Sequence, residues 1–207
     1  MIKYPIIVVD DFFEDPDSIL DLSTSVDYPI NLSDWPGKRS PSLYDIDPKF
    51  YDYFKKKVFT AFGLEPISSS LRAGFQKIIP YSKDKWNLKN CGWVHKDEGN
   101  DILFGGIVYL SKNPEKDTGT SIYKSKKGYS YFNSEEDYMK KKLYGGEYID
   151  DEQYNKVYNE YHDQFIETIK VENVYNRMVC FPSTTWHGVQ TFGTEERLTI
   201  AFFCHNT

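Results

Sequence analysis

Cysteine is scarce and poorly placed for its structural uses. The 207-residue chain has three, Cys91, Cys180 and Cys204, an odd number at wide spacing with no CxxC pair. That excludes a disulfide framework and a thiolate zinc knuckle, and it predicts unpaired thiols in a reducing, cytoplasmic setting. Long apolar runs are also missing. No stretch approaches the length needed to cross a bilayer, so no membrane partner is expected. The N-terminal MIKYPIIVVDDFF has one lysine and no small-residue cleavage site, and reads as a first strand rather than a signal peptide. Basic excess is absent as well: 25 Lys and Arg face 31 Asp and Glu, a net charge of −6. A dedicated nucleic-acid binder would show the opposite balance to phosphates, so no nucleic-acid partner is expected.

What remains is ordinary globular material, 40% hydrophobic and 27% charged, expected to form a single domain over residues 1–207. Residues 1–67 read as a strand with helical support. In EDPDSILDLSTSVDY, Asp15 caps and Pro16 opens a helix; in DPKFYDYFKKKVFTAFG, Asp47 caps, Pro48 opens and Gly63 stops a second. Phe50, Phe54, Val58 and Phe62 recur every fourth residue there, an apolar stripe suited to packing on a sheet. SDWPGKRSPSLYDI between them reads as a loop. From residue 68 onward the texture is β: SSSLRAGFQKIIPYS, GWVHKDE, DILFGGIVYLS, GTSIYKS, RMVCFPS, HGVQTF and ERLTIAFFC are short strand-like runs separated by turn residues. The fold class is therefore mainly β with supporting helices, a sandwich or barrel of which the jelly roll is one form.

One segment, about residues 126–172, interrupts the strands. Ten of the 17 tyrosines lie between Tyr123 and Tyr175, and DDEQYNKVYNEYHDQFIETI has helical spacing at Tyr154, Val157, Tyr158, Tyr161 and Phe165. Two readings stand: an amphipathic helix packed on the β core, or an insertion acting as a lid over its mouth.

Histidine is rare enough for each of the four to be weighed. His162, among acidic neighbours, reads as a surface residue and His205, near the C-terminus, as incidental. His95 and Asp97 are separated by Lys96 alone, and on a strand positions i and i+2 share a face while Lys96 points away. His187 follows the turn Pro182 to Thr185 after a strand. Ten residues on, Arg197 and Thr199 alternate with Leu198 and Ile200, which sends an arginine inward where only an anion makes it tolerable. Two imidazoles and one carboxylate can occupy one face of an octahedral metal and leave the opposite positions open. An arginine nearby supplies the counter-ion for a dicarboxylate chelating that metal.

The combination of His-x-Asp, a distal His and Arg-x-Thr ten residues later resembles the 2-oxoglutarate and Fe(II)-dependent oxygenase superfamily, in particular its prolyl-4-hydroxylase-like branch. GGIVYLS, GTSIYKS and NRMVCFPSTTWHGV resemble strands of those enzymes, and within the group the chain is similar to uncharacterised bacterial and phage members. The resemblance covers roughly Ser68 to Cys204. It implies a double-stranded β-helix (jelly-roll or cupin-like) core over 68–207 with N-terminal helices and a Tyr-rich, partly helical insertion. It implies Fe(II) held by His95, Asp97 and His187, and 2-oxoglutarate held by Arg197 with help from Tyr109 and Thr199. With O2 as second co-substrate, the implied reaction hydroxylates a prolyl, peptidyl or small-molecule C–H bond and releases succinate and CO2. Asp97 favours hydroxylation, because halogenating relatives lack that carboxylate.

The chain departs from the family pattern in the length of its insertion and in lacking an obvious tyrosine on the strand before His95, where Gln76 or Tyr81 is the candidate. Trp93 and Trp186 flank the ligands as packing residues or substrate contacts, and Arg72 suits the pocket mouth or the surface. A β-barrel module that binds metal without turnover is the alternative from another class. A zinc-dependent hydrolase would leave Arg197 without a carboxylate to meet.

Overall fold

Proline placement and capping start both N-terminal helices, as the sequence dictates. The structure, a computed structural model, describes residues 5–29, 35–64, 70–97, 101–127 and 134–206. After strand β1 (Ile7–Val9), helix α1 (Pro16–Thr24) is capped by Asp15, whose side chain accepts the Ser18 N–H. The expected loop over 33–46 contains a two-residue strand β2 (Lys38–Arg39) and a short helix α2 (Leu43–Ile46) capped by Ser42. Helix α3 (Pro48–Ala61) begins at the Asp47 cap and ends before Gly63, whose φ of 65° only glycine adopts without cost.

Strands β3 (Ser70–Ile78), β4 (Ile102–Tyr109), β5 (Thr120–Ser125), β6 (Phe165–Val171), β7 (Met178–Pro182), β8 (Trp186–Val189) and β9 (Arg197–His205) follow, with helices α4 (Ser134–Tyr144) and α5 (Asp151–His162) between β5 and β6. They build two antiparallel sheets: six strands in the order β1-β7-β4-β9-β3-β2, and three in the order β6-β5-β8. Helical spacing in the sequence runs through Phe165, but the chain leaves α5 at His162 and forms β6, which pairs along β5. The physical reason is that FIETIKV, rich in β-branched residues, meets a free sheet edge, which outweighs a helical spacing already ended by the Asp163 cap.

Both faces of the large sheet are buried, for different purposes. One carries Leu198, Ile200, Phe202 and Cys204 of β9 against Phe12, Phe54 and Val58, forming the main core with the N-terminal helices. Each fully buried side chain of this kind contributes about 1.5–3 kcal/mol. The other face meets the small sheet through Tyr109, Ile122, Val171, Val179 and Phe181. Alternation along β9 thus sends Arg197, Thr199 and Ala201 between the sheets.

Helices α4 and α5 pack into a third cluster. Met139, Leu143, Tyr154, Tyr158 and Tyr161 close on Trp93 and Val94, all buried. Tyr129 and Tyr131, along with Glu98 and residues 68–69 of the expected strands, lie outside the described residues. The three cysteines are buried and form no disulfide among the described residues. Among the described residues no helix is long and apolar enough to cross a membrane.

Candidate metal centre

The expected strand at GWVHKDE is a less regular stretch tied to β8 by single contacts. His95 and His187 form an isolated antiparallel bridge, each donating its backbone N–H to the other's carbonyl at 2.9 Å. Gly92 N–H reaches Val189 O at 2.9 Å, and Asp97 N–H reaches Ser183 O at 3.1 Å. Tyrosines occupy carbonyls that a ladder would otherwise use: Tyr158 and Tyr161 donate to Gly92 O at 3.2 Å and Val94 O at 2.7 Å. Trp93 Nε1 donates to Tyr154 Oη at 3.1 Å. The density of tyrosine in α5 is explained by this satisfaction of backbone polar groups beside the site.

That path presents three ligand atoms to one point. His95 Nδ1 lies 2.8 Å from Trp93 O and His187 Nδ1 lies 2.9 Å from Thr185 O. A carbonyl accepts only a proton, so the network assigns N–H to both Nδ1 atoms and turns both Nε2 lone pairs inward. Asp97 sits between them, with Oδ1 3.6 Å from His95 Nε2 and Oδ2 3.5 Å from His187 Nε2. The ligand atoms of the three lie within 4.8 Å of one another. Burial, the His187 imidazole and Lys140 hold the His95 pKa well below its ordinary 6.5, which keeps it in the neutral form that ligates metal.

Across the cavity, Arg197 is 4% exposed and partly satisfied: its Nε donates to Thr118 O at 2.9 Å, and its guanidinium carbon lies 5.4 Å from the Tyr109 ring centroid. Its Nη2 has no hydrogen-bond partner, and neither does Thr199 Oγ1 on the same face of β9. Two buried, unsatisfied polar atoms on one face of a strand are costly unless a ligand completes them. Tyr109 is fully buried and donates its hydroxyl to Thr120 Oγ1 at 2.7 Å. Of the alternatives before His95, Gln76 lines the cavity and donates to Pro36 O at 2.8 Å, whereas Tyr81 packs against Tyr144 and Phe192.

The cavity between the sheets measures about 350 Å³ and is lined by His95, Asp97, His187 and Arg197. It also takes in Arg39, Lys96 and Lys140. Sequence spacing marks neither Arg39 nor Lys140, and Lys96 does not point away as a regular strand would have it; its ammonium lies 4.7 Å from the Trp186 ring centroid. Signals for Arg39 existed in Trp35-Pro36-Gly37, since an aromatic beside a tight turn can shelter a guanidinium. Trp93 is both a core residue and a lining residue, while Arg72 is exposed. His162 is no surface residue: its ring stacks on Tyr158 at 3.8 Å and meets the edge of Trp93 at 5.9 Å, with Nε2 sealed and unpartnered. His205 pairs with Asp101 at 3.3 Å.

Comparison with solved structures places this geometry in a known fold. HygX from Streptomyces hygroscopicus, solved with nickel and 2-oxoglutarate and also with hygromycin B, is 14% identical, with a TM-score of 0.61 over 98% of this chain and 83% of HygX. A prolyl hydroxylase from Trichoplax adhaerens, in complex with a hypoxia inducible factor peptide fragment, is 10% identical, with a TM-score of 0.55 over 97% of this chain and 83% of its own. A prolyl 4-hydroxylase from Phytophthora capsici is 12% identical, with a TM-score of 0.52 over 98% of this chain; the chain spans 59% of that protein's length. At such identities the likeness shows the fold, the antiparallel double-stranded β-helix of 2-oxoglutarate oxygenases. No curated protein matches the chain. The sequence does match, over residues 2–199, the model of a family of unknown function designated DUF6445, and the chain belongs to that family.

Proposed function

We propose that the chain is an Fe(II)- and 2-oxoglutarate-dependent dioxygenase that hydroxylates a C–H bond of a small-molecule or peptidyl substrate. The observation that carries this reading is Arg197, whose buried Nη2 has no partner and which lines the same cavity as the His95, Asp97 and His187 trio, with the equally unpartnered Thr199 Oγ1 two residues on along β9. The trio alone would fit many divalent metals. A buried arginine with a spare N–H, next to a spare hydroxyl, adds the requirement for a carboxylate.

His95 Nε2, Asp97 and His187 Nε2 would hold the metal on one face. Arg197 would meet the far carboxylate of 2-oxoglutarate, with Thr199 as second donor. Tyr109, whose hydroxyl now faces Thr120, would turn its proton toward the same carboxylate, and its ring holds the guanidinium in place. When bound, Fe(II) and 2-oxoglutarate would supply the oxidising chemistry, in which O2 and 2-oxoglutarate are consumed, succinate and CO2 are released, and one oxygen atom enters the substrate. The apolar layer of Ile107, Phe181 and Ala201 keeps bulk water from the reacting centre.

The test is anaerobic titration with Fe(II) and 2-oxoglutarate, expected to give a weak visible charge-transfer band, followed by O2 and measurement of succinate. Protein that binds neither, or Arg197→Ala with unchanged 2-oxoglutarate affinity, would overturn the reading. Metal binding without succinate, across a screen of peptides, amino acids and nucleosides, would point instead to a non-catalytic binding module.

A further inference from the structure

The chain has only four arginines, Arg39, Arg72, Arg177 and Arg197. Arg72 is exposed and Arg177 pairs with Asp10 in two hydrogen bonds at the surface. The other two enter the same cavity. Arg197 has the role proposed above, which leaves Arg39 without one.

Arg39 is held with care. It lies on edge strand β2, opposite Gln76 of β3. Gly37 precedes it at a φ of 74°, where a Cβ would stand 2.0 Å from Lys77 O, so the chain can hug β3 only with glycine there. The Gln76 side chain fixes the adjoining Pro36 carbonyl. The Arg39 guanidinium lies 4.2 Å from the Trp35 ring centroid and 5.6 Å from that of Phe203. Aromatic faces hold the plane of the cation and leave its N–H edge as the polar part. Its Nε is buried and has no hydrogen-bond partner. Burial pushes its pKa down to about 10, against which Asp97 works, so it is charged at neutral pH.

The surrounding charge is as telling. Arg39 and Arg197 line the cavity with Asp97 as its one carboxylate among the described residues, in a chain whose overall charge is −6. A divalent metal and a dicarboxylate co-substrate would cancel each other, so their binding leaves the Arg39 cation to be met by another anion. A guanidinium held in a walled cavity attracts and selects an anion.

From these observations we infer that Arg39, seated on Trp35 and Phe203, is a second anion subsite that binds a carboxylate of the substrate itself. The substrate is thus an acid, oriented by Arg39 with a carbon near the carboxylate turned to the metal. This rests on the proposed oxygenase reading for the occupancy of Arg197, and Arg39 acts on substrate choice, not on metal or co-substrate. The cavity of about 350 Å³ must hold co-substrate and substrate together, which suits a compact acid or a single acidic side chain.

The test uses protein loaded with redox-inert Ni(II) and 2-oxoglutarate, titrated calorimetrically with three probes of one shape: benzoate, benzamide and benzylamine. Benzoate is expected to bind saturably, about ten-fold or more tighter than benzamide, with benzylamine excluded. Arg39→Gln, and Arg39→Met as a second neutral variant, should erase the preference for benzoate while 2-oxoglutarate affinity stays at the wild-type value. Arg39→Lys should keep part of the preference. Absence of benzoate binding, equal affinity for benzoate and benzamide, or retention of the preference in both neutral variants would overturn the inference. Loss of 2-oxoglutarate binding in the Arg39 variants would also overturn it, by assigning Arg39 to the co-substrate. Wild-type protein that fails to bind 2-oxoglutarate at all would instead sink the oxygenase reading. A second arm compares free N-acetylaspartate with a capped Gly-Asp-Gly peptide, each beside its asparagine counterpart. A preference for either acid supports the subsite and tells whether a free acid or an acidic peptide supplies the carboxylate.

Discussion

Tyr161 of α5 donates its hydroxyl to the carbonyl of Val94, one residue before His95, at 2.7 Å. The bond spans 67 residues of sequence and is fully buried. Tyr161→Phe keeps the ring and strands the carbonyl, an unsatisfied buried acceptor that costs about 1–3 kcal/mol. Urea denaturation should register that loss, and Ni(II) titration should show weaker binding because the path leading to His95 loosens. Tyr148→Phe, at a side chain 84% exposed, should change neither quantity.

Gly105 faces the carboxylate of the trio. A Cβ there would stand 3.0 Å from Asp97 Oδ2 and 3.2 Å from the Phe203 ring. Gly105→Ala should therefore displace Asp97 by a few tenths of an ångström without unfolding the sheet. The expected result is metal affinity reduced by about ten-fold or more, as for disturbed outer-shell partners of ligands, with thermal stability of the metal-free protein nearly unchanged. A calorimetric metal titration beside a melting curve checks both parts.

Metal should stabilise the folded chain by mass action. At a hundred-fold excess of Ni(II) over its dissociation constant the gain is about 2.7 kcal/mol, visible as a raised melting temperature. Asp97→Asn and His187→Ala should each abolish the shift. His205→Ala should leave it intact, since His205 pairs with Asp101 and takes no part in the trio.

His162 makes stability depend on pH. Burial lowers its pKa from 6.5 to about 3, so between those values the unfolded chain binds a proton that the folded chain refuses. Stability therefore falls as the pH drops below 6.5, by about 1 kcal/mol per pH unit. His162→Phe retains stacking on Tyr158 and has no proton to bind. It should be more stable than wild type at pH 5 and close to it at pH 8, as measured by chemical denaturation.

The meeting of His95, Asp97, His187 and Arg197 was legible in the sequence because histidine and arginine are rare in this chain and an inward arginine is hard to explain otherwise. The Asp15 and Asp47 caps were legible because they depend on neighbours alone. Strand β6 was not, because Phe165, Ile166 and Ile169 fit a helix as well as a strand, and only the β5 edge decides between them. Arg39 was hidden for a related reason: its shelter needs Phe203 from the far end of the chain. The surface reading of His162 failed because its neighbours in sequence are acidic, whereas its neighbours in space are Trp93 and Tyr158.

His187 rides on the three-stranded sheet and Arg197 on the six-stranded one, with Ile122, Val171, Val179 and Phe181 filling the space between. The separation between the His95, Asp97 and His187 trio and Arg197 is therefore a thickness, set by close-packed apolar side chains and pinned by the Tyr109–Thr120 and Arg197–Thr118 hydrogen bonds. The fold works as a calliper. If Arg197 receives the co-substrate as proposed, a dicarboxylate one carbon too short or too long would carry the right charges and still meet it at the wrong height.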